Sequence, residues 1–345
     1  HRVPCPAGIS CFTKLILSFI SKSLYNFKHR DTLAAAVPQE GSPIYTNLLL
    51  FTAGLILLYW GSDWLVEGAS SMAQSMGLRR IVIGLTVVAF GTSMPELVIS
   101  VVSSFKGKSM IAVGNVVGSN ICNICLVMGL AAVLRPITTR RSVVARDLPI
   151  MLGISVLLLL ISLNSRIGRL EGILLFCGIF VYTAMNYAMA IKGQRRRDPY
   201  PPPDEPVETP AVKGTATRTR QGLLIVSGIA AVAFGAEILV DSAIEIMKFF
   251  GVGEKFIGLT VVAFGTSLPE LATSGMAAYR KEMDISIGNL VGSNVFNILS
   301  VLGAAAIVKP IAIPGGLTGS GLVFEYLVML FVGFLPWLMM RKTLT

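Results

Sequence analysis

The chain has 345 residues, 53% of them apolar and only 14% charged, with a mean hydropathy of +0.72. Soluble domains are about a quarter charged, so this composition excludes an ordinary globular protein and leaves an integral membrane protein. The formal net charge of +10 suggests a nucleic-acid partner, but the basic residues follow membrane topology instead, and no nucleic acid is expected.

Residues 1–45 form an N-terminal tail, disordered or interfacial, beginning at His1 and containing an amphipathic run from Phe12 to Phe27. An interfacial helix and translated sequence upstream of the true start both remain open; a signal peptide is disfavoured because no small-residue cleavage site follows. The apolar runs beyond it are long enough to cross a hydrocarbon core of about 30 Å, which takes about 20 helical residues. They lack period-2 alternation, so they are helices and not barrel strands. Residues 46–191 hold five, over 47–75, 80–104, 110–134, 148–165 and 170–191. Residues 192–221, with a basic cluster and the run PYPPPDEP, read as a disordered tether. Residues 222–345 hold four more, over 222–248, 256–279, 284–308 and 321–340.

With the 192–221 linker on the cytoplasmic side, 17 basic residues lie inside and seven in the outside loops, as the positive-inside rule requires. The five basic residues of the first 45 positions run against it.

The two halves are copies. GLTVVAFGTSMPEL at Gly84 to Leu97 returns as GLTVVAFGTSLPEL at Gly258 to Leu271. The same shift of 174 residues carries GNVVGSNICNI (Gly114 to Ile124) onto GNLVGSNVFNI (Gly288 to Ile298), Asp63 onto Glu237 and Glu67 onto Asp241. Chance similarity does not preserve charge and spacing over that length. Five helices per half is an odd number, so the second copy enters the membrane inverted, an architecture of secondary transporters. A fifth helix of the second half would start near residue 344. The expectation is therefore an all-α inverted repeat of two five-helix halves, a ten-helix fold with nine helices present.

Each GTSxPE segment leads two hydroxyls, Thr92 and Ser93 or Thr266 and Ser267, to a carboxylate, Glu96 or Glu270. A charge at mid-membrane costs about 2.5 to 3.5 kcal/mol, so two in matched positions suggest a cation site. Pro95 and Pro269 must bend their helices and release carbonyls at that depth. In the following helices Ser119 with Asn123, and Ser293 with Asn297, share one face at i,i+4 spacing and add neutral oxygens. Gly114, Gly118, Gly288 and Gly292 allow close backbone approach. An all-oxygen set suits Na⁺, Ca²⁺, Mg²⁺ or Mn²⁺.

Cys122 and Cys125 have C-x-x-C spacing, but Phe296 and Leu299 stand there in the second copy, so no metal or redox role is expected. The only histidines are His1 and His29, and no His or Lys base accompanies a membrane serine, so enzyme chemistry is not expected. Asp63 and Glu67 either line an entrance or pair with basic residues near the interface.

GTSMPE with GSNICN, and GTSLPE with GSNVFN, resemble the paired α-repeats of the Ca²⁺/cation antiporter superfamily, most closely its prokaryotic sodium/calcium exchanger-like branch. The resemblance covers about residues 47–340. It implies a multi-pass protein of the cell membrane that moves Ca²⁺ in exchange for Na⁺ by alternating access, with Ca²⁺/H⁺ or another divalent exchange as the alternative. It implies a midplane ion site at Thr92, Ser93, Glu96, Ser119, Asn123, Thr266, Ser267, Glu270, Ser293 and Asn297, joined by the backbone oxygens of Ala89 and Ala263. Branches that couple K⁺ have an acidic residue where this chain has Asn297, so K⁺ independence is expected. The ions are substrates, with no resident cofactor and no obligate protein partner beyond the bilayer.

Overall fold

The computed structural model describes residues 44–107, 109–137, 141–195, 215–251, 265–313, 316–320 and 322–342, all within one compact unit, Pro43–Thr345. The amphipathic run of the tail, the middle of the linker and the start of the seventh predicted helix, with Ala263, lie outside the described residues.

The first helix, α1 (Ile44–Ser75), stops where Gly77 takes a left-handed φ of 63° and Leu78 donates back to the carbonyl of Ala73 at 2.8 Å. A glycine reaches that conformation without a Cβ penalty. The second predicted helix is two arms, α2 (Arg80–Thr92) and α3 (Met94–Phe105), bent by 46°. There follow α4 (Met110–Leu134) and α5 (Val143–Ser162), then α6 (Arg169–Arg195) and α7 (Thr215–Phe249). The second half continues with α8 (Leu268–Tyr279), α9 (Met283–Val308) and α10 (Leu322–Lys342). Among the described residues seven helices are long and apolar enough to cross a membrane, or eight with α2 and α3 as one bent span. The protein is an all-α integral membrane fold.

Three boundaries differ from the sequence reading. The 192–221 tether begins and ends as helix, since α6 runs to Arg195 and α7 starts at Thr215; polar residues extend these helices beyond their apolar stretches. The fourth helix starts at Val143 and not 148, because a π turn at Val143–Asp147 precedes Pro149 and absorbs the hydrogen bond that proline cannot make. Two loops pair as short strands, β1 (Arg166–Ile167) and β2 (Ile311–Ala312), with Ile167 opposite Ile311. Two-residue strands carry no periodic signal.

Burial ranks the helices by role. The most apolar stretch of α9 is 83% buried, against 22% for α1, so α9 is the central post and α1 faces lipid. Glycines set two of the tightest contacts. A Cβ on Gly292 of α9 would stand 2.7 Å from the carbonyl oxygen of Leu85 and from the Ala89 Cβ, both on α2. One on Gly228 of α7 would stand 2.6 Å from the backbone nitrogen of Leu65 on α1. The inverted halves thus interlock, α2 of the first against α9 of the second and α1 against α7. Partners of Gly114 and Gly118 in the copied register would fall within residues 255–263, outside the described residues.

Candidate cation site

Ser93 and Ser267 are the pivots of the two halves. Their φ, ψ values of −86°, 9° and −91°, 3° lie in the sparsely allowed region between helix and strand, where active-site residues recur. Pro95 and Pro269 follow within the first helical positions. Each lacks an N–H for the carbonyl four residues back and crowds it, so one helix stops and another starts. The restart places Glu96 and Glu270 in the first turns of α3 and α8. There the free N–H groups favour a carboxylate by about 0.3–1 kcal/mol. The carbonyl end of α2 meets the same point from the other side, the arrangement of a discontinuous transport helix.

Both carboxylates are fully buried and near enough to repel each other. Glu270 Oε1 accepts the Ser93 hydroxyl at 2.9 Å, a bond from one half to the other. The hydroxyls of Thr92 and Ser293, 3.4 Å apart, bear on the same carboxylate. Neither oxygen of Glu96 has a hydrogen-bond partner among the described residues. The same holds for Glu270 Oε2, Ser119 Oγ, Ser267 Oγ, Asn123 Oδ1 and Asn297 Oδ1, which makes seven orphaned buried oxygens on residues singled out in the sequence. Two of those residues, Asn123 and Asn297, open the matched π turns Asn123–Val127 and Asn297–Leu302. Such turns recur at functional sites because the extra residue re-aims side chains.

A second layer holds these groups in place. Asn289 donates to Ser274 Oγ at 2.9 Å and accepts from Thr92 at 3.1 Å. Its copy Asn115 donates to Ser100 Oγ at 3.0 Å and accepts from Thr266 at 3.5 Å. Each threonine is therefore held by an asparagine of the opposite half. Asn297 Nδ2 donates to Asn120 Oδ1 at 3.1 Å, while its own carbonyl oxygen has no partner among the described residues.

Eleven of the twelve sequence-predicted residues are described. Ala89 lies at the end of α2, and its carbonyl accepts the Ser93 N–H at 3.1 Å and the Thr92 hydroxyl at 3.4 Å. Ala263 is outside the described residues. Sequence reasoning missed Asn115, Asn289, Ser100 and Ser274, although all four repeat at the same shift and were visible in it. It also missed Thr273, whose buried Oγ1 has no partner among the described residues; its copy is Ile99, so the repeat carried no signal. Cys122 lies against Ser267 and near both carboxylates, while its copy Phe296 packs edge-on against Phe90 at 5.2 Å. Asp63 and Glu67 both pair with Arg280, at 2.5 and 3.7 Å.

The profile described as sodium/calcium exchanger protein matches residues 46–188 and 221–345. The chain belongs to this family. Among similar proteins, CaxA of Alkalimonas amylolytica, named as a candidate antiporter, is 38% identical over 77% of this chain and 82% of its own length. The sodium/calcium exchanger MaX1 of Methanosarcina acetivorans is 33% identical over 78% of this chain and 85% of its own. The solved sodium-calcium exchanger NCX_Mj, soaked with 10 mM Na⁺ and zero Ca²⁺, superposes with a TM-score of 0.73 at 30% identity, covering 86% of this chain and 91% of that one. The chain is thus a cation antiporter of the sodium/calcium exchanger family, and the inverted-repeat reading of its sequence agrees with that fold.

Proposed function

We propose that this protein is a secondary antiporter that moves Ca²⁺ across the cell membrane in exchange for Na⁺, independently of K⁺, with the 192–221 linker on the cytoplasmic side. The observation that carries the reading is the set of seven buried oxygens, on motif residues of both inverted halves, that have no hydrogen-bond partner among the described residues. An orphaned buried polar atom costs about 1–3 kcal/mol, so a packed structural core would not collect seven on the residues of two matched motifs. A desolvated hard cation stabilises all of them together. Glu96 and Glu270 are the divalent ligands, since their combined charge of −2 is neutralised equally by one Ca²⁺ or two Na⁺. Ser119, Asn123, Ser293 and Asn297 supply neutral oxygens from α4 and α9; Thr92, Ser93, Thr266 and Ser267, with the carbonyls of Ala89 and Ala263, complete the shells. Loading by either ion but not by neither is the property that makes exchange obligatory.

The relatives named as sodium/calcium exchangers support Na⁺ as the counter-ion, and the neutral Asn297 supports K⁺ independence. Uptake of ⁴⁵Ca²⁺ into proteoliposomes separates the possibilities. An outward Na⁺ gradient should drive accumulation that rises cooperatively with Na⁺ and is unchanged by K⁺. Accumulation driven by a pH gradient and indifferent to Na⁺ would replace this reading with Ca²⁺/H⁺ exchange.

A further inference from the structure

A cluster of charges away from the site joins α1 to the other half at the linker side. Asp63, Glu67 and Ser70 stand at i, i+4 and i+7, hence on one face of α1. Arg280 reaches Asp63 at 2.5 Å and Glu67 at 3.7 Å. Ser70 donates to Glu282 Oε1 at 2.9 Å, and Arg80 pairs with Glu282 Oε2 at 2.7 Å. The cluster borders a crevice of about 330 Å³ lined by Val66, Glu67, Ser70, Ser71, Arg280 and Glu282. A separate set fixes α1 to α7: Gln221 donates to the Ser71 carbonyl at 3.1 Å and accepts from Ser75 at 2.9 Å.

Arg280 is the C-cap residue of α8, the helix whose first turn carries Glu270. The pair on α1 and the carboxylate at the site therefore meet opposite ends of one 12-residue helix, about 15 Å apart at 1.5 Å of rise per residue. The 174-residue register repeats the arrangement in sequence: Arg280 corresponds to Lys106, the C-cap residue of α3, and Asp63 and Glu67 correspond to Glu237 and Asp241 on α7. Inversion puts that second set on the opposite side of the membrane.

We propose that Arg280 with Asp63 and Glu67 forms an ionic latch that ties α1 to the end of α8 and closes the linker-side path. The partners of the latch are about one-third exposed, where a single pair is weak; it biases the equilibrium without locking it. The inference rests on alternating access but not on which ions are carried, so its test reads accessibility and not flux.

The test uses a Cys-free protein in which Met276→Cys sits buried between α8 and α1, beside Val66 and Ala69. Labelling by a membrane-impermeant maleimide from the linker side, in ion-free buffer, should speed up at least tenfold in Arg280→Gln, about 1.4 kcal/mol of population bias. It should return toward the parent rate in the exchange Asp63→Arg/Arg280→Asp. A rate within twofold of the parent in Arg280→Gln, or an exchange variant as fast as either single one, overturns the latch. A control cysteine at Val291, fully buried on α9, reports unfolding. If it labels too, Asp63→Cys/Arg280→Cys decides: a short thiol cross-link there must hold Met276→Cys unreactive until it is cleaved, and free labelling despite the cross-link overturns the proposal.

Discussion

Glu96→Gln and Glu270→Gln are each expected to abolish Ca²⁺ exchange, lowering ⁴⁵Ca²⁺ flux at least 100-fold, while the protein still purifies as a folded species. Glutamine keeps the volume and one carbonyl oxygen but removes a charge from a fully buried site. A divalent ion then faces a single negative charge, and losing one partner of a buried charge set costs about 3–5 kcal/mol. Stability without ions should move the other way. Each fully buried carboxylate costs the empty fold energy at membrane depth, about 2.5 to 3.5 kcal/mol on insertion scales. Both variants should therefore melt at or above the parent temperature without ions, and both should lose the rise in Tm that Ca²⁺ gives a protein binding it only when folded. Near-parental transport by either variant would remove the two glutamates from the site. The effects should also be non-additive, since the double variant has no function left to lose.

Gly292→Leu is expected to prevent recovery of folded protein. Its first side-chain atom would meet the Leu85 carbonyl and the Ala89 Cβ at 2.7 Å, a contact with backbone that no rotamer relieves. Overpacking by a methylene or two costs about 1–3 kcal/mol; four carbons driven between α9 and α2 exceed what a marginally stable fold absorbs. Gly292→Ala is the graded version: α2 must shift, carrying Thr92 and Ser93 with it, so affinity for Ca²⁺ should fall more than melting temperature does. Gly153, exposed on α5 with open space around its Cα, provides the contrast. Gly153→Ala should leave both yield and transport unchanged. Size-exclusion profiles and detergent melting curves across the three variants check the ranking.

Much of this architecture was legible because duplication acts as an internal alignment. One residue alone, Glu96, is an oddity in an apolar run; Glu96 with Glu270 at an identical offset is a site. The prolines were equally readable, since their effect is local and steric, and the 46° bend stands at Ser93, within four residues of the carbonyl each ring crowds. Features that break the symmetry escaped. Cys122 reaches Ser267 and the carboxylates through tertiary packing of α4, and Thr273 is buried on α8 three residues after Glu270; their copies, Phe296 and Ile99, gave no hint. The π turns at Asn123 and Asn297 were hidden because an extra residue per turn leaves an all-apolar stretch looking the same. The pairing of Asp63 with Arg280 spans 217 positions in sequence and needed the fold to appear.

The central claim is that the inverted halves converge on one divalent site. Equilibrium binding of ⁴⁵Ca²⁺ to the purified protein tests it most directly. One Ca²⁺ per chain is expected, displaced by Na⁺ with a Hill coefficient above one, unaffected by K⁺, and lost in Glu96→Gln and in Glu270→Gln alike. Two Ca²⁺ per chain, with each variant losing only one, would show two separate half-sites and contradict the account.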